Sequence, residues 1–143
     1  MKAKQNTYAS NGEEAEIILA DTAKELVFKD KCLEYRDRYF GADSFIGQEI
    51  VFYDGNAIWG MNYYGLLTSD IIPSKRVYSF LQKALKKVTA SQPFRGPSDF
   101  ADEEFQYINK PRGTVDFFKG FEKILYKRKQ IYQLHYHGGL IRR

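Results

Sequence analysis

The fold class is decided by residues 46–64, which read IGQEIVFYDGNAIWGMNYY. Two runs rich in β-branched and aromatic residues, Ile46 to Tyr53 and Ala57 to Tyr64, flank the triplet Asp54-Gly55-Asn56. Glycine readily adopts the positive φ that tight hairpin turns require, so this arrangement predicts two antiparallel strands joined at Gly55. The stretch therefore favours an antiparallel sheet.

Further strands are predicted on both sides of this hairpin. Alternating residues from Leu33 to Phe40 predict a strand that ends at the turn Gly41 to Ser44. The C-terminal part predicts three more strands, at Phe105 to Asn109, Thr114 to Tyr126 and Gln130 to His137. Gly120 is interpreted as a bulge or bend. Turns are predicted at Lys110-Pro111-Arg112-Gly113, at Lys127-Arg128-Lys129 and at Gly138-Gly139.

One strong helix interrupts the strands. Ser74 follows Pro73 and is predicted to begin a helix that runs to about Val88. Its apolar residues recur at helical spacing, at Val77, Phe80, Leu81, Ala84, Leu85 and Val88. Residues 1–12 predict a short N-terminal helix, and residues 13–26 are compatible with a helix. The expected fold is a single α+β domain over residues 1–143. It has an antiparallel sheet of about five to six strands, with the helix packed on one face.

Composition excludes several classes of protein. The chain has 143 residues, of which 43% are hydrophobic and 28% charged, so it is not a disordered chain. No apolar run approaches the ~20 residues of a membrane span, and the N-terminus lacks the apolar segment of a secretory signal. A single cysteine, Cys32, excludes an internal disulfide and a Cys-based zinc site, and suits a reducing compartment. We therefore expect a cytoplasmic protein with no membrane association.

Charge is distributed unevenly along the chain. Residues 1–72 carry 7 Lys/Arg and 12 Asp/Glu, whereas residues 73–143 carry 15 and 6, which gives net charges of −5 and +9. Such asymmetry indicates either an anion-binding face, two halves that attract each other, or charges on solvated surfaces. The overall charge of +4 is modest, and no helix-turn-helix, zinc-finger or basic-zipper pattern is present. Sequence-specific DNA binding is therefore not expected.

Two arginines on one strand face are candidate anion ligands. Arg36 and Arg38 lie two residues apart, so their side chains share a face at a separation of about 7 Å. Two guanidinium groups so placed can bind a phosphate or a carboxylate, and Arg95 in the loop after the helix is a third candidate. Alternatively, these arginines form ion pairs with sheet neighbours such as Asp37, Glu49 or Asp116.

Aromatic residues, 16% of the chain, supply the walls of the predicted site. Alternation places Trp59 and Tyr63 on one strand face, and Asn62 and Tyr64 on the other. Their rings can hold a flat ligand while the polar groups orient it, or they can form a thick aromatic core. If a pocket exists, we expect walls of Trp59, Tyr63 or Tyr64 and a rim of Arg36, Arg38 or Arg95.

The two histidines of the chain, His135 and His137, share a face of the last strand. This spacing can contribute to a metal site or supply a general base. A third metal ligand is not identifiable, so no bound metal is expected. A histidine paired with a carboxylate stays open as an acid–base arrangement, and both histidines are counted among the candidate ligand-binding residues.

Ordered motifs along the chain resemble an uncharacterised bacterial domain family of unknown function. The resemblance covers residues 1 to 141 and is carried by YRDRYFG, FIGQE, WGMNYYG, FRGP, FFKG and HGG, which begin at residues 35, 45, 59, 94, 117 and 137. Members of that family occur alone or behind Xre-type helix-turn-helix domains. The resemblance implies a sensory or partner-binding module, and it brings no established activity, cofactor or catalytic residue.

Three functions remain open at this stage. The first is a non-enzymatic domain that binds a small anionic ligand, such as a nucleotide. The second is a protein-interaction module, a regulatory or antitoxin-like partner, that acts on another protein or self-associates. The third is a small enzyme that uses His135 or His137 with a carboxylate. The first is favoured, with no cofactor.

Overall fold

The hairpin around Gly55 is part of a much larger sheet. In the computed structural model, which describes residues 16–143, nine strands and one helix are present. The strands are β1 (Glu16–Ile18), β2 (Lys24–Asp30), β3 (Leu33–Gly41), β4 (Ser44–Tyr53), β5 (Asn56–Leu67), β6 (Asp99–Asp102), β7 (Phe105–Thr114), β8 (Phe117–Tyr126) and β9 (Lys129–Leu140). The helix, α1 (Ser74–Leu85), lies between β5 and β6.

All nine strands belong to one antiparallel sheet with the order β1-β2-β3-β4-β5-β9-β8-β7-β6. Each half of the chain forms a meander in which consecutive strands pair. The two meanders meet where β5 pairs with β9, and there Tyr63 lies opposite Tyr136. This central pairing joins residues far apart in the chain and defines the middle of the sheet.

The expected α+β fold, with five to six strands and an N-terminal helix, is therefore wrong. Residues 16–26, which are compatible with a helix by their apolar spacing, form β1 and the start of β2 instead. The partial apolar stripe is overridden because β2 pairs with β3 over seven residues, from Lys24↔Tyr39 to Asp30↔Leu33. The short strand β6 was not predicted. The helix predicted over residues 1–12 lies outside the described residues.

Two predicted turns are also wrong. Lys110 to Gly113 continue β7, and the turn follows at residues 115–116. The N–H of Asn109 faces the β6 side, where it donates to the Ser98 carbonyl oxygen. Pro111 faces the same side, beyond the end of β6, so its missing N–H removes no sheet hydrogen bond.

Glycines 138 and 139 lie inside β9 rather than at its end. A Cβ on Gly138 would lie 2.1 Å from the carbonyl oxygen of Gly60, so only glycine allows the two backbones to approach this closely. Gly120 is not a bulge, because it pairs regularly with Pro111 and Tyr136. The irregularity between β8 and β9 lies at Ile124/Leu125 instead.

The helix packs on one face of the sheet, which we call the inner face; the opposite face is the outer face. Alternation along β5 and β9 directs Met61, Tyr63, Tyr132 and Leu134 inward, where all four are buried. The helix contributes its predicted apolar stripe to the same core, namely Val77, Phe80, Leu81, Ala84 and Leu85. The helix ends at Leu85 rather than Val88, although Val88 remains buried.

A buried carboxylate lies at the centre of the inner face. Glu122 of β8 is 0% exposed and forms an ion pair with Arg95, with the Nη2 and Oε1 atoms 2.7 Å apart. The hydroxyl of Tyr107 donates to Oε2 at 2.5 Å, and that of Tyr132 donates to Oε1 at 2.8 Å. Burial is the main cause that raises the pKa of both tyrosines well above 10.0, and the Glu122 charge adds to it.

The same network holds the loop between α1 and β6 against the sheet. Asn109 of β7 donates to the carbonyl oxygens of Phe94 and Gly96, at 2.7 and 3.0 Å, and accepts from the Tyr136 hydroxyl at 2.8 Å. The N–H of Gly96 donates to the Tyr107 hydroxyl at 3.1 Å. Because its backbone groups are satisfied by core side chains, this buried loop is compatible with the apolar interior.

Removal of the central carboxylate is expected to destabilise the fold strongly. Glu122→Ala leaves the Arg95 guanidinium buried without its ion-pair partner, so the free energy of unfolding falls by about 3–5 kcal/mol. The matched control is Asp102→Ala, which breaks the exposed Lys83–Asp102 pair and changes stability little. Urea denaturation measures both variants. Equal losses in the two would contradict a central role for Glu122.

The buried tyrosines also predict an alkaline limit of stability. Burial raises the pKa values of Tyr63, Tyr107 and Tyr132 in the folded chain, whereas the unfolded chain ionises near 10.0. Stability is therefore complete below pH ~10 and falls as pH rises further, because only the unfolded state releases these protons. Urea denaturation between pH 9 and 12, with phenolate absorbance as a parallel readout, tests this expectation. A flat profile would contradict it.

Candidate functional site

The structure divides the candidate ligand-binding residues between the two faces of the sheet. Trp59, Tyr63 and Arg95 lie on the inner side, within the core. The outer side carries the remaining six, which are Arg36, Arg38, Asn62, Tyr64, His135 and His137. A single pocket therefore does not combine all nine, and the two groups have different surroundings.

The inner aromatic candidates make contacts typical of a core. The Trp59 ring stacks on Phe118 with ring centroids 5.5 Å apart, and its Nε1 donates to the Val115 carbonyl oxygen at 3.0 Å. The Tyr63 hydroxyl donates to Oδ1 of Asp37 at 2.6 Å. The polar tips of both side chains thus have partners within the fold, as buried Trp and Tyr require.

Arg95 is committed to the buried network. Its side chain is 5% exposed, pairs with Glu122, and lies over the Tyr63 ring at 5.4 Å from the ring centroid. Its φ of 66° reflects the sharp bend of the loop that brings the guanidinium inward. In this arrangement Arg95 holds the loop to the sheet, and it does not reach the outer face.

Arg36 and Arg38 share the outer face of β3, and both have partners there. Arg36 forms an ion pair with Glu34 at 2.5 Å and lies over the Phe52 ring, 4.8 Å from its centroid. Arg38 forms an ion pair with Asp21. Neither partner is one of the carboxylates considered in the sequence, Asp37, Glu49 and Asp116. Glu34 lies on the same strand as Arg36, and Asp21 lies in the turn before β2.

A groove of about 1180 Å³ crosses the outer face over the middle of the sheet. Two lines of side chains follow it from β5 through β9 and β8 to β7, each line formed by residues paired across neighbouring strands. We call the first the polar row: Asn62, His137, Lys119 and Arg112. We call the second the ring row: Tyr64, His135, Phe121 and Lys110.

Local contacts order both rows. Asn62 accepts a hydrogen bond from Nε2 of Gln48 at 2.8 Å, and its own amide nitrogen lies 3.3 Å from Nε2 of His137. In the ring row, the Phe121 and His135 rings lie 6.0 Å apart, centroid to centroid. Tyr64 is 47% exposed, so its ring is accessible to a ligand.

The groove has an excess of positive charge. Lys110, Arg112 and Lys119 line it, and within residues 16–143 none of the three forms an ion pair. Among its described lining residues, Asp116 alone carries a carboxylate, and Oδ2 of this residue lies 4.0 Å from Nη2 of Arg142. The groove therefore favours anions.

The inner face has a smaller cavity, of about 410 Å³, beside the helix. Its wall includes Tyr39 and Tyr78, and burial raises the pKa of Tyr78 to about 12. The Tyr39 hydroxyl donates to Glu16 at 2.5 Å. Carboxylates and cations both line this cavity, and two of its cations form ion pairs, Lys24 with Glu16 and Arg95 with Glu122. Its mixed charge favours anions less clearly than the charge of the outer groove does.

The histidines do not form the acid–base or metal arrangement considered in the sequence. Among the described residues, no carboxylate is hydrogen-bonded to His135 or His137. The same part of the chain holds no group of three or more His, Cys, Asp or Glu side chains placed to bind a metal ion. It likewise has no helix with the length and hydropathy needed to cross a membrane.

Four residues that line the groove are not among the candidates identified from the sequence: Lys110, Arg112, Lys119 and Phe121. The strand predicted over Thr114 to Tyr126 already places Lys119 and Phe121 on one face, so alternation could have identified them. Arg112 lies in a segment that the sequence pattern predicts as a turn, so strand alternation does not assign its side chain to a face. Their position beside His137 and His135 depends on strand pairing, which the sequence pattern does not specify.

Comparison with known proteins identifies a family without an assigned role. A family model described as "Domain of unknown function (DUF5680)" matches residues 37–141, and the chain belongs to this family. The matched region begins in β3 and includes the outer groove with both of its rows. No curated protein and no solved structure matches the chain.

Proposed function

We propose that the chain binds small anionic molecules that carry a flat ring, such as nucleotides, in the groove of the outer face. One observation carries this proposal: the polar row, with one amide, one imidazole and two cations, runs beside the ring row, with three rings and a lysine, in an open groove with little negative charge. The two rows offer separate contacts for the two parts of such a ligand.

Each row has a distinct chemical role in this proposal. The Arg112 guanidinium and the Lys119 ammonium supply charge-assisted hydrogen bonds to a phosphate or a carboxylate. Tyr64 and Phe121 supply ring surface for stacking. The side-chain amide of Asn62 both donates and accepts, so it can read the polar edge of a base.

The binding role is non-enzymatic in this proposal, because the groove offers rings and cations rather than a histidine–carboxylate pair. A ligand-binding domain suits the sensory role that the family resemblance implies. The bacterial source, the association with Xre-type regulators and the cytoplasmic location remain predictions. In such a setting, the bound anion would be the signal that the domain detects.

Isothermal titration with AMP and ATP tests the proposal. We expect wild type to bind, and the double variant Arg112→Ala/Lys119→Ala to bind about tenfold more weakly, because tenfold corresponds to 1.4 kcal/mol and two charge-assisted contacts are lost. The control is Lys86→Ala/Lys87→Ala, which removes the same charge from exposed positions after α1. Absence of binding by wild type, or an equal loss in the control, would reject the groove as the site.

A further inference from the structure

We infer that the ligand of the outer groove is a single-stranded nucleic acid several nucleotides long. This inference rests on the proposed function and extends its ligand from one nucleotide to a chain of linked nucleotides. It uses three properties of the outer face: its length, the accessibility of its rings, and the alternation of rings and cations along one strand.

The polar row is longer than a mononucleotide. Cross-strand pairing extends it from Asn62 to Gln48 on β4, which also lines the groove, and then beyond the groove to Arg38 on β3, which is paired with Asp21. From Arg38 to Arg112 it crosses six strands, and neighbouring strands lie about 4.8 Å apart, so it spans roughly 24 Å. Stacked nucleotides advance by about 3.4 Å each, so roughly seven would cover that length. Single-strand-binding folds of similar size take about 4–16 nucleotides.

Accessible rings supply a stacking surface. Phe117 begins β8 on the outer side and is 80% exposed. It pairs with Gly139, which pairs with Gly60, so these two paired positions add no side chain of their own, and the side chains of Ile50 and Ile141 lie beside Gly60. Bases stack on such rings with little preference for sequence, because every base presents a flat face. In a duplex these faces are covered by neighbouring base pairs, so the inference is limited to single strands.

Ring and cation alternate along β8. Its outer side carries Phe117, Lys119, Phe121 and Lys123 in turn, each about 7 Å from the next. Where a single strand that follows the polar row crosses β8 at Lys119, its bases can stack on Phe117 or Phe121, on either side of the row, while its phosphates contact the Lys119 ammonium group. On β7, Lys110 and Arg112 face the same side. Charge complementarity thus favours a polyanion over a neutral partner.

Fluorescence anisotropy with labelled oligonucleotides tests this inference. We expect affinity to rise from dT3 to dT6 and to level off near seven nucleotides, with rU12 and dT12 both bound and a 12-base-pair duplex bound more weakly. If Lys110, Arg112 and Lys119 neutralise three phosphates, log K falls with log salt at a slope of about −2.

Variants of one exposed ring make the test specific. Phe117→Ala is expected to weaken dT12 binding about tenfold, whereas Phe117→Trp retains it, because stacking needs an aromatic ring. The matched control is Tyr53→Ala, since Tyr53 is also exposed but lies outside the groove. Circular dichroism verifies that each variant is folded.

Three results would overturn the inference. If AMP and ATP bind and dT12 binds no more tightly than they do, the single-strand inference fails while the proposed function stands. If none of these anions binds, both fail. If sedimentation equilibrium shows a dimer that Phe117→Ala dissociates, and dT12 does not bind, the outer face is a surface for a second copy.

Discussion

The fold depends on satisfying the Glu122 carboxylate, which, like that of Glu49, has no access to water. Glu122 is fully buried, and a charge so placed is stable only when donors surround it. Its donors come from three places: Arg95 from the loop after the helix, Tyr107 from β7 and Tyr132 from β9. Meeting this one requirement fixes the loop, and with it the helix, against the inner face of the sheet.

The buried network also determines which side chains lie on the outer face, because side chains alternate along each strand. Because side chains alternate, holding Tyr132 and Tyr136 inward directs His135 and His137 outward, and the same holds for Glu122 and its neighbour Phe121. The inner face is closed by α1 and its loop, whereas the outer face of β5, β9, β8 and β7 keeps a groove. The buried network thus positions the groove of the outer face without belonging to it.

Some elements that depend on residues close together in the sequence are predicted correctly, whereas the other strands depend on pairing between distant segments. The turn at Gly55 and the apolar stripe of the helix each depend on residues close in sequence, and both are present. The strand nature of residues 16–26 depends on pairing with β3, which overrides a weak helical pattern. Asn62 contacts His137, which lies 75 residues away in the sequence, and Arg95 contacts Glu122, which lies 27 residues away. Alternation predicts the face of its strand on which each side chain lies, but it does not predict which strands pair or in which register.

The central claim is that the outer face, and not the inner cavity, binds the anion. Two-dimensional NMR of the isotope-labelled chain, titrated with unlabelled dT6, tests it most directly. The account predicts that the largest shift changes fall on Asn62, Phe117, Lys119, Phe121 and His137, while Tyr78 and Arg95 change little. Changes concentrated on Tyr39, Tyr78 and Arg95 would contradict it, because they would place the ligand in the cavity beside the helix.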